Sequence, residues 1–344
     1  MRDGGKRMKN WQKFSIRNYK GMFLFGLVVL LFFGMFVSLM SGAVKVESQE
    51  VIKILLGQDT TSTAAKIVLY SRLPRTCAAL LAGAALAVSG MVIQTVLNNP
   101  LASPSVIGVN SSAGFAVAFV CAIAPNLQMY TPFVAFIGAL AGVFIVMILS
   151  QNMVASRITV VLAGIAISNL FSAGIDAVVT FVPEALNGVT DFRIGGFEGV
   201  TLQQLVPAAA MIFISLFILF TLSQQLDILA LGSDTAQSLG LAVRPMQVCF
   251  LILSAALAGA AVSFSGLLGF IGLIVPHIMR MLIGEESGML LISSALGGAF
   301  FVVMCDLFAR TIAAPFVIPV GIVLAFAGAP FFLWLLFKQR GGRT

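Results

Sequence analysis

Charge is what this chain has least of. Only 10% of its 344 residues are Asp, Glu, Lys or Arg, against roughly 25% in a soluble domain. From 76 to 156 no charged residue or histidine occurs at all, and no soluble core is built that way. The single histidine, His277, and four scattered cysteines without Cys-x-x-Cys spacing (Cys77, Cys121, Cys249, Cys305) provide neither a zinc pattern nor a disulfide framework. No G-x-x-x-x-G-K-[ST] phosphate loop is present, so the chain has no such means of hydrolysing ATP. Ser265 and His277 are the residues an intramembrane serine protease would need. The stretch Ser263-Phe264-Ser265-Gly266 lacks the first glycine of a G-x-S-G pattern, so no catalytic set assembles.

What is present is apolar. Hydrophobic residues make up 59% of the chain and mean hydropathy is +1.05. Further uncharged stretches run over 199–226 and 311–337. A spanning helix needs about 20 apolar residues. Ten segments qualify: roughly 21–40, 74–97, 106–124, 132–150, 158–182, 206–223, 246–266, 269–284, 288–309 and 318–337. Backbone groups in lipid must be satisfied within the segment and barrel-like alternation is absent, so an all-α polytopic membrane protein is expected. The sequence divides into a basic tail at 1–20, one transmembrane domain at 21–337 and a short tail at 338–344. Arg2, Lys6, Arg7, Lys9, Lys13, Arg17 and Lys20 face one acid, Asp3, in the first tail, and Lys338, Arg340 and Arg343 lie in the second. Such clusters mark the cytoplasmic side, which explains the basic balance without nucleic acid. Both termini are then cytoplasmic and the number of crossings is even.

One internal repeat is visible. Leu81–Gly90 reads LAGAALAVSG and Leu257–Gly266 reads LAGAAVSFSG, with seven of ten positions identical. The copies fall in the second and seventh expected helices, an odd offset. That predicts opposite orientations and an inverted repeat of helices 2–5 and 7–10, an architecture common among transporters. An ion-coupled secondary transporter would share it but would normally display intramembrane carboxylates. Asp176 is the one good candidate. It either lines a pathway or lies near enough the outer surface to stay hydrated.

Several blocks resemble the FecCD-type permeases, the membrane subunits of ABC importers for iron–siderophore, haem and cobalamin. They are Arg72-Leu73-Pro74-Arg75 with the small-residue run to Ser89-Gly90, then Gln94 and Asn99-Pro100-Leu101-Ala102. Leu231-Gly232…Ala236…Ser238-Leu239-Gly240 and Gly269-Phe270-Ile271-Gly272 through Pro276-His277-Ile278-Met279-Arg280 follow. Asp306…Ala309-Arg310 and Pro319-Val320-Gly321…Gly328-Ala329-Pro330 complete the set. Where the family usually carries Glu two residues before the proline of the PVG block, this chain has Val317.

The resemblance implies a homodimer in a bacterial cytoplasmic membrane, joined by two cytoplasmic ATPase subunits and an extracytoplasmic binding protein. ATP would be used by those partners, with no cofactor or metal bound by this chain. It also implies that Arg72, Arg75 and Arg310 face acidic residues of the binding protein. Set against this, Arg72 and Arg75 can simply anchor a helix end at the headgroups, and Arg310 can pair with Asp306 four residues earlier. Leu231, Gly232, Ala236, Ser238, Leu239 and Gly240 belong to a cytoplasmic stretch, 227–244. Its glycine-broken sequence fits two short helices that, in the family, dock in a cleft of the ATPase. Asn99 and Leu101 match positions that narrow the inner mouth, and the connection around Ser156 and Thr159 is the expected second gate. Asn99-Pro100 reads equally as a helix-stopping turn, and His277 reads as a packing residue rather than a ligand.

Overall fold

A computed structural model describes residues 4–42, 44–151 and 157–340; side chains before 19, at 125, 128 and 129, at 150–151, at 157–159 and at several positions after 333 lie outside the description. All regular structure in the described residues is helical. The helices are α1 (Gly4–Met40), α2 (Ser48–Leu55), α3 (Thr63–Ile67), α4 (Leu73–Val96), α5 (Val109–Ile123), α6 (Thr131–Gln151), α7 (Arg157–Phe181) and α8 (Leu186–Ile194). They continue with α9 (Leu202–Thr221), α10 (Ser223–Ala230), α11 (Ser233–Ser238), α12 (Val243–Ser265), α13 (Ile271–Ile283), α14 (Ser287–Thr311) and α15 (Val320–Arg340). A π turn, Val68–Arg72, joins α3 to α4 without a break.

Among the described residues, seven helices are long and apolar enough to cross a membrane, and α5, α13 and α15 (apolar over Val320–Leu333) are shorter apolar helices. The chain is a polytopic membrane protein. The segments read at roughly 106–124 and 269–284 hold α5 and α13, which begin two or three residues further on and run about 22 and 20 Å at 1.5 Å per residue. Each begins after a left-handed residue, Gly108 (φ 88°) and Phe270 (φ 66°). The irregular backbone before each helix can exist at membrane depth only because protein covers it. Pro104, for example, lies against Gly272.

The crossings share two ends. At the proximal end, where α1 enters the apolar region, Lys20 pairs with Glu286 at 2.9 Å. Asp227 meets Ser287 and Arg280 meets Gln94 at the same end. At the distal end, Arg72 binds the last carbonyls of α1, Arg75 binds Asp306, and the backbone N–H of Gly196 donates to the Ser265 carbonyl.

The core is α4. It is the most buried of the long apolar helices and packs most extensively on α14, then on α12. Its run of Ala, Gly and Ser is the reason, since small side chains let neighbouring backbones approach closely. Gly83 and Gly298 meet backbone to backbone, as do Gly90 and Gly272. The two LAGAA copies lie on antiparallel helices: α4 runs distal to proximal and α12 the reverse. Ser89 crosses between them to the Ser254 carbonyl at 2.7 Å.

Candidate functional site

The distal end gathers charge from α14, α4 and the π turn before α4. Asp306 of α14 is fully buried. Its Oδ1 accepts from Arg75 Nε of α4 at 2.9 Å, and its Oδ2 lies 3.1 Å from Arg310 Nε one turn further along α14. The second contact is an ion pair with poor hydrogen-bond geometry. Arg310 also donates to the Ser38 hydroxyl at 2.6 Å and to the Ser38 and Ser41 carbonyls at 3.3 and 3.4 Å, so α1 joins the cluster. Arg72 caps the end of α1, donating to the carbonyls of Leu39 (2.7 Å), Met40 (2.8 Å) and Val44.

These positions alter the expected picture of the three arginines. They are 4%, 8% and 6% exposed, so they are neither headgroup anchors nor a freely presented cationic surface. The physical reason is the supply of internal acceptors: one buried carboxylate and the unpaired carbonyls that end α1, which a helix terminus leaves without intrahelical donors. Arg75 borders open space. It lines a cavity of about 430 Å³ with Tyr70, Glu198, Thr201 and Val317. Glu198 sits 3.8 Å from its Nη1, and its Nη2 is buried without a hydrogen-bond partner. Sequence spacing exposed only one strand of this network, the four-residue offset from Asp306 to Arg310. Arg75 and Asp306 are 231 positions apart, and no local signal joins them.

At the proximal end, Gln94 of α4 holds α13 at two points. Its Nε2 donates to the Gly272 carbonyl at 2.9 Å, and its Oε1 accepts from Arg280 at 3.1 Å. Replacing it with leucine removes a donor and an acceptor at a position 2% exposed. The Gly272 carbonyl and the Arg280 guanidinium then lose these partners, at a cost of about 1–3 kcal/mol. Thermal unfolding of the purified Gln94→Leu chain measures this; a midpoint equal to wild type rules the clamp out.

The turn after α4 is built by Asn99, whose Oδ1 accepts from the Leu101 N–H at 3.0 Å, after a left-handed Asn98 (φ 46°). Asn98, Asn99 and Pro100 line a cavity of about 240 Å³ with Ala230 and Arg280. Ser156 lies outside the described residues, as does the side chain of Thr159. The stretch after α9 forms two short helices, α10 and α11, divided at Gly232 (φ 103°) and closed at Gly240 (φ 83°). Leu231 and Leu239 are 62% and 61% exposed there, and Ala236 is buried.

Asp176 lies in the distal part of α7, exposed and 3.4 Å from Arg193 of α8. Ser265 gives its hydroxyl to the Ala261 carbonyl at 2.9 Å, while His277 stands edge-on to Phe331. Neither contact aligns a serine with a base. The four cysteines are free thiols.

Residues 30–338 match a family model described as the FecCD transport family. The hemin transport system permease protein HmuU of Yersinia pestis is 39% identical over 285 residues, 81% of this chain and 85% of that protein. The Fe(3+)-citrate import system permease protein YfmD of Bacillus subtilis is 35% identical over 319 residues, 93% and 95% of the two chains. Among solved structures, a chain described as an ABC transporter of metal-chelate type in an inward-facing conformation superposes with a TM-score of 0.79. It is 29% identical, and the match covers 93% of this chain and 99% of that one.

Proposed function

This chain belongs to the FecCD transport family, a family of transport permeases rather than of enzymes, and on that premise we propose that it is the membrane subunit of an ABC importer for a ferric chelate or haem. The match over nearly the whole chain to relatives named for hemin and ferric citrate carries this reading. In it, ten crossings form an inverted repeat of helices 2–5 and 7–10. The proximal end is cytoplasmic, as the basic tails favour, and two copies enclose the pathway in a bacterial cytoplasmic membrane. ATP is bound and hydrolysed by two separate subunits that grip α10 and α11. Exposed leucines at 231 and 239, on short helices outside the apolar spans, support a docked partner there. The turn at Asn99 and Leu101, with the connection at Ser156 and Thr159, narrows the inner mouth.

A binding protein delivers cargo at the distal end. With Arg72 and Arg310 committed internally, Arg75 is the cation in the distal cavity that can meet an acidic partner. Several such pairs orient docking and speed encounter more than they add affinity.

Uptake by cells with and without the gene tests the substrate class, using radiolabelled ferric citrate, a ferric hydroxamate and haemin. Loss of uptake of at least one is expected on deletion. Unchanged uptake of all three refutes the reading.

A further inference from the structure

The proximal end of α14 is held by groups from two other elements, and neither hold is local in sequence. Ser287 is the first helical residue, and the preceding Glu286 makes no side-chain cap. The orphan N–H of Ser287 instead donates to Asp227 Oδ1 of α10 at 2.8 Å. Glu286 is turned away to Lys20 of α1. At Gly288 an added Cβ would lie 3.6 Å from the Ser223 hydroxyl, so α10 packs directly on the first turn of α14.

At the other end of the same helix, about 28 Å away at 1.5 Å per residue, sit Asp306 and Arg310 of the distal cluster. A 25-residue helix buried along most of its length against α4 is stiff. A displacement imposed on its first turn reaches its last turn as a shift of the whole element.

We infer that Asp227 is a positioning residue for transport: its carboxylate latches α10 to the N-terminus of α14, and α14 carries the motion of the ATPase-bound helix to the distal arginine cluster. A carboxylate suits this latch because it meets both an unpaired N–H and the positive end of the helix dipole. The inference rests on the proposed ABC reading, which supplies the force on α10. It adds which atom transmits that force, and to which helix.

Two substitutions break the latch from opposite sides. Asp227→Ala removes the acceptor. Ser287→Pro removes the donor at the first helical position, where proline is well tolerated, and Glu286 already has the extended conformation (φ −63°, ψ 113°) that precedes proline comfortably.

The measurement is cargo accumulated per ATP hydrolysed, in proteoliposomes holding the chain, its ATPase and its binding protein. The probe is whichever of ferric citrate, ferric hydroxamate and haemin the wild type accumulates. Thermal stability of each assembled complex is recorded alongside. A roughly tenfold fall in the ratio is expected for each variant, no further fall in the double variant because both cut one link, and recovery in Asp227→Asn, which keeps the accepting oxygen.

Wild-type ratios in both single variants overturn the inference. So does a loss of transport that merely tracks a loss of stability in both, since that is the behaviour of a structural cap. A wild-type chain that takes up cargo without any ATPase overturns the ABC reading itself, an outcome distinct from either.

Discussion

Asp306→Ala is expected to lower the stability of the purified chain by about 3–5 kcal/mol, the usual effect of removing one partner from a buried ion pair. The carboxylate is fully buried and is the acidic group shared by Arg75 and Arg310, while the other acid near Arg75, Glu198, is mostly exposed and 3.8 Å away. Alanine leaves two guanidinium groups in a low-dielectric setting with less compensation and opens space between α4 and α14. Asp306→Asn keeps the shape and an acceptor oxygen for Arg75 but loses the charge, so an intermediate effect is expected. Thermal inactivation in detergent, scored by loss of monodisperse protein, provides the scale. If the alanine variant melts with wild type, the cluster does not hold the distal end together.

A comparably large effect is expected from a single methyl group at Gly83. An added Cβ would fall on the carbonyl oxygen of Gly298, against backbone that has no rotamer to adjust. Gly298 presents the reciprocal clash with Gly83. Gly83→Ala must therefore push α14 off α4, along the most extensive helix–helix contact among the described residues. Overpacking of this kind costs about 1–3 kcal/mol or more, and here it also displaces the helix that carries Asp306. Gly26→Ala is the control, because nothing lies within 4 Å of its added Cβ, and alanine is the better helix former by about 1 kcal/mol. The pair should separate in opposite directions in the same melting assay; equal midpoints would show that the α4–α14 contact tolerates separation.

Both predictions concern contacts that neither composition nor periodicity displays. The sites of apolar crossings, the two short helices after α9, the glycines dividing them and the turn at Asn99 could all be read locally. Each depends on neighbours within a few positions: hydropathy over about 20 residues, a glycine able to adopt positive φ, or an Asx turn. The late starts of α5 and α13 were harder to see. The residues between the expected and observed starts, 106–108 and 269–270, are apolar like the helices they precede, and hydropathy does not distinguish helical backbone from irregular backbone covered by protein. Gly108 offered a weak signal, and Phe270, a bulky residue with positive φ, offered none.

The arginines show the division most clearly. Their positions at the ends of apolar segments made them stand out, and the scarcity of charge made any function for them conspicuous. Whether each faces water, lipid or another helix is a property of partners distant in sequence: Asp306 for Arg75, Ser38 for Arg310 and the end of α1 for Arg72. By itself the amino-acid order determined that this chain lives in a bilayer as a set of apolar helices, because desolvation of the backbone leaves helices as the only solution for such apolar segments, and its motif blocks pointed to the family. Only the tertiary structure decided which few charges neutralise one another and which helix end rests on Asp227, since in a low-dielectric interior those choices are set by distances of about 3 Å between segments that the sequence holds far apart.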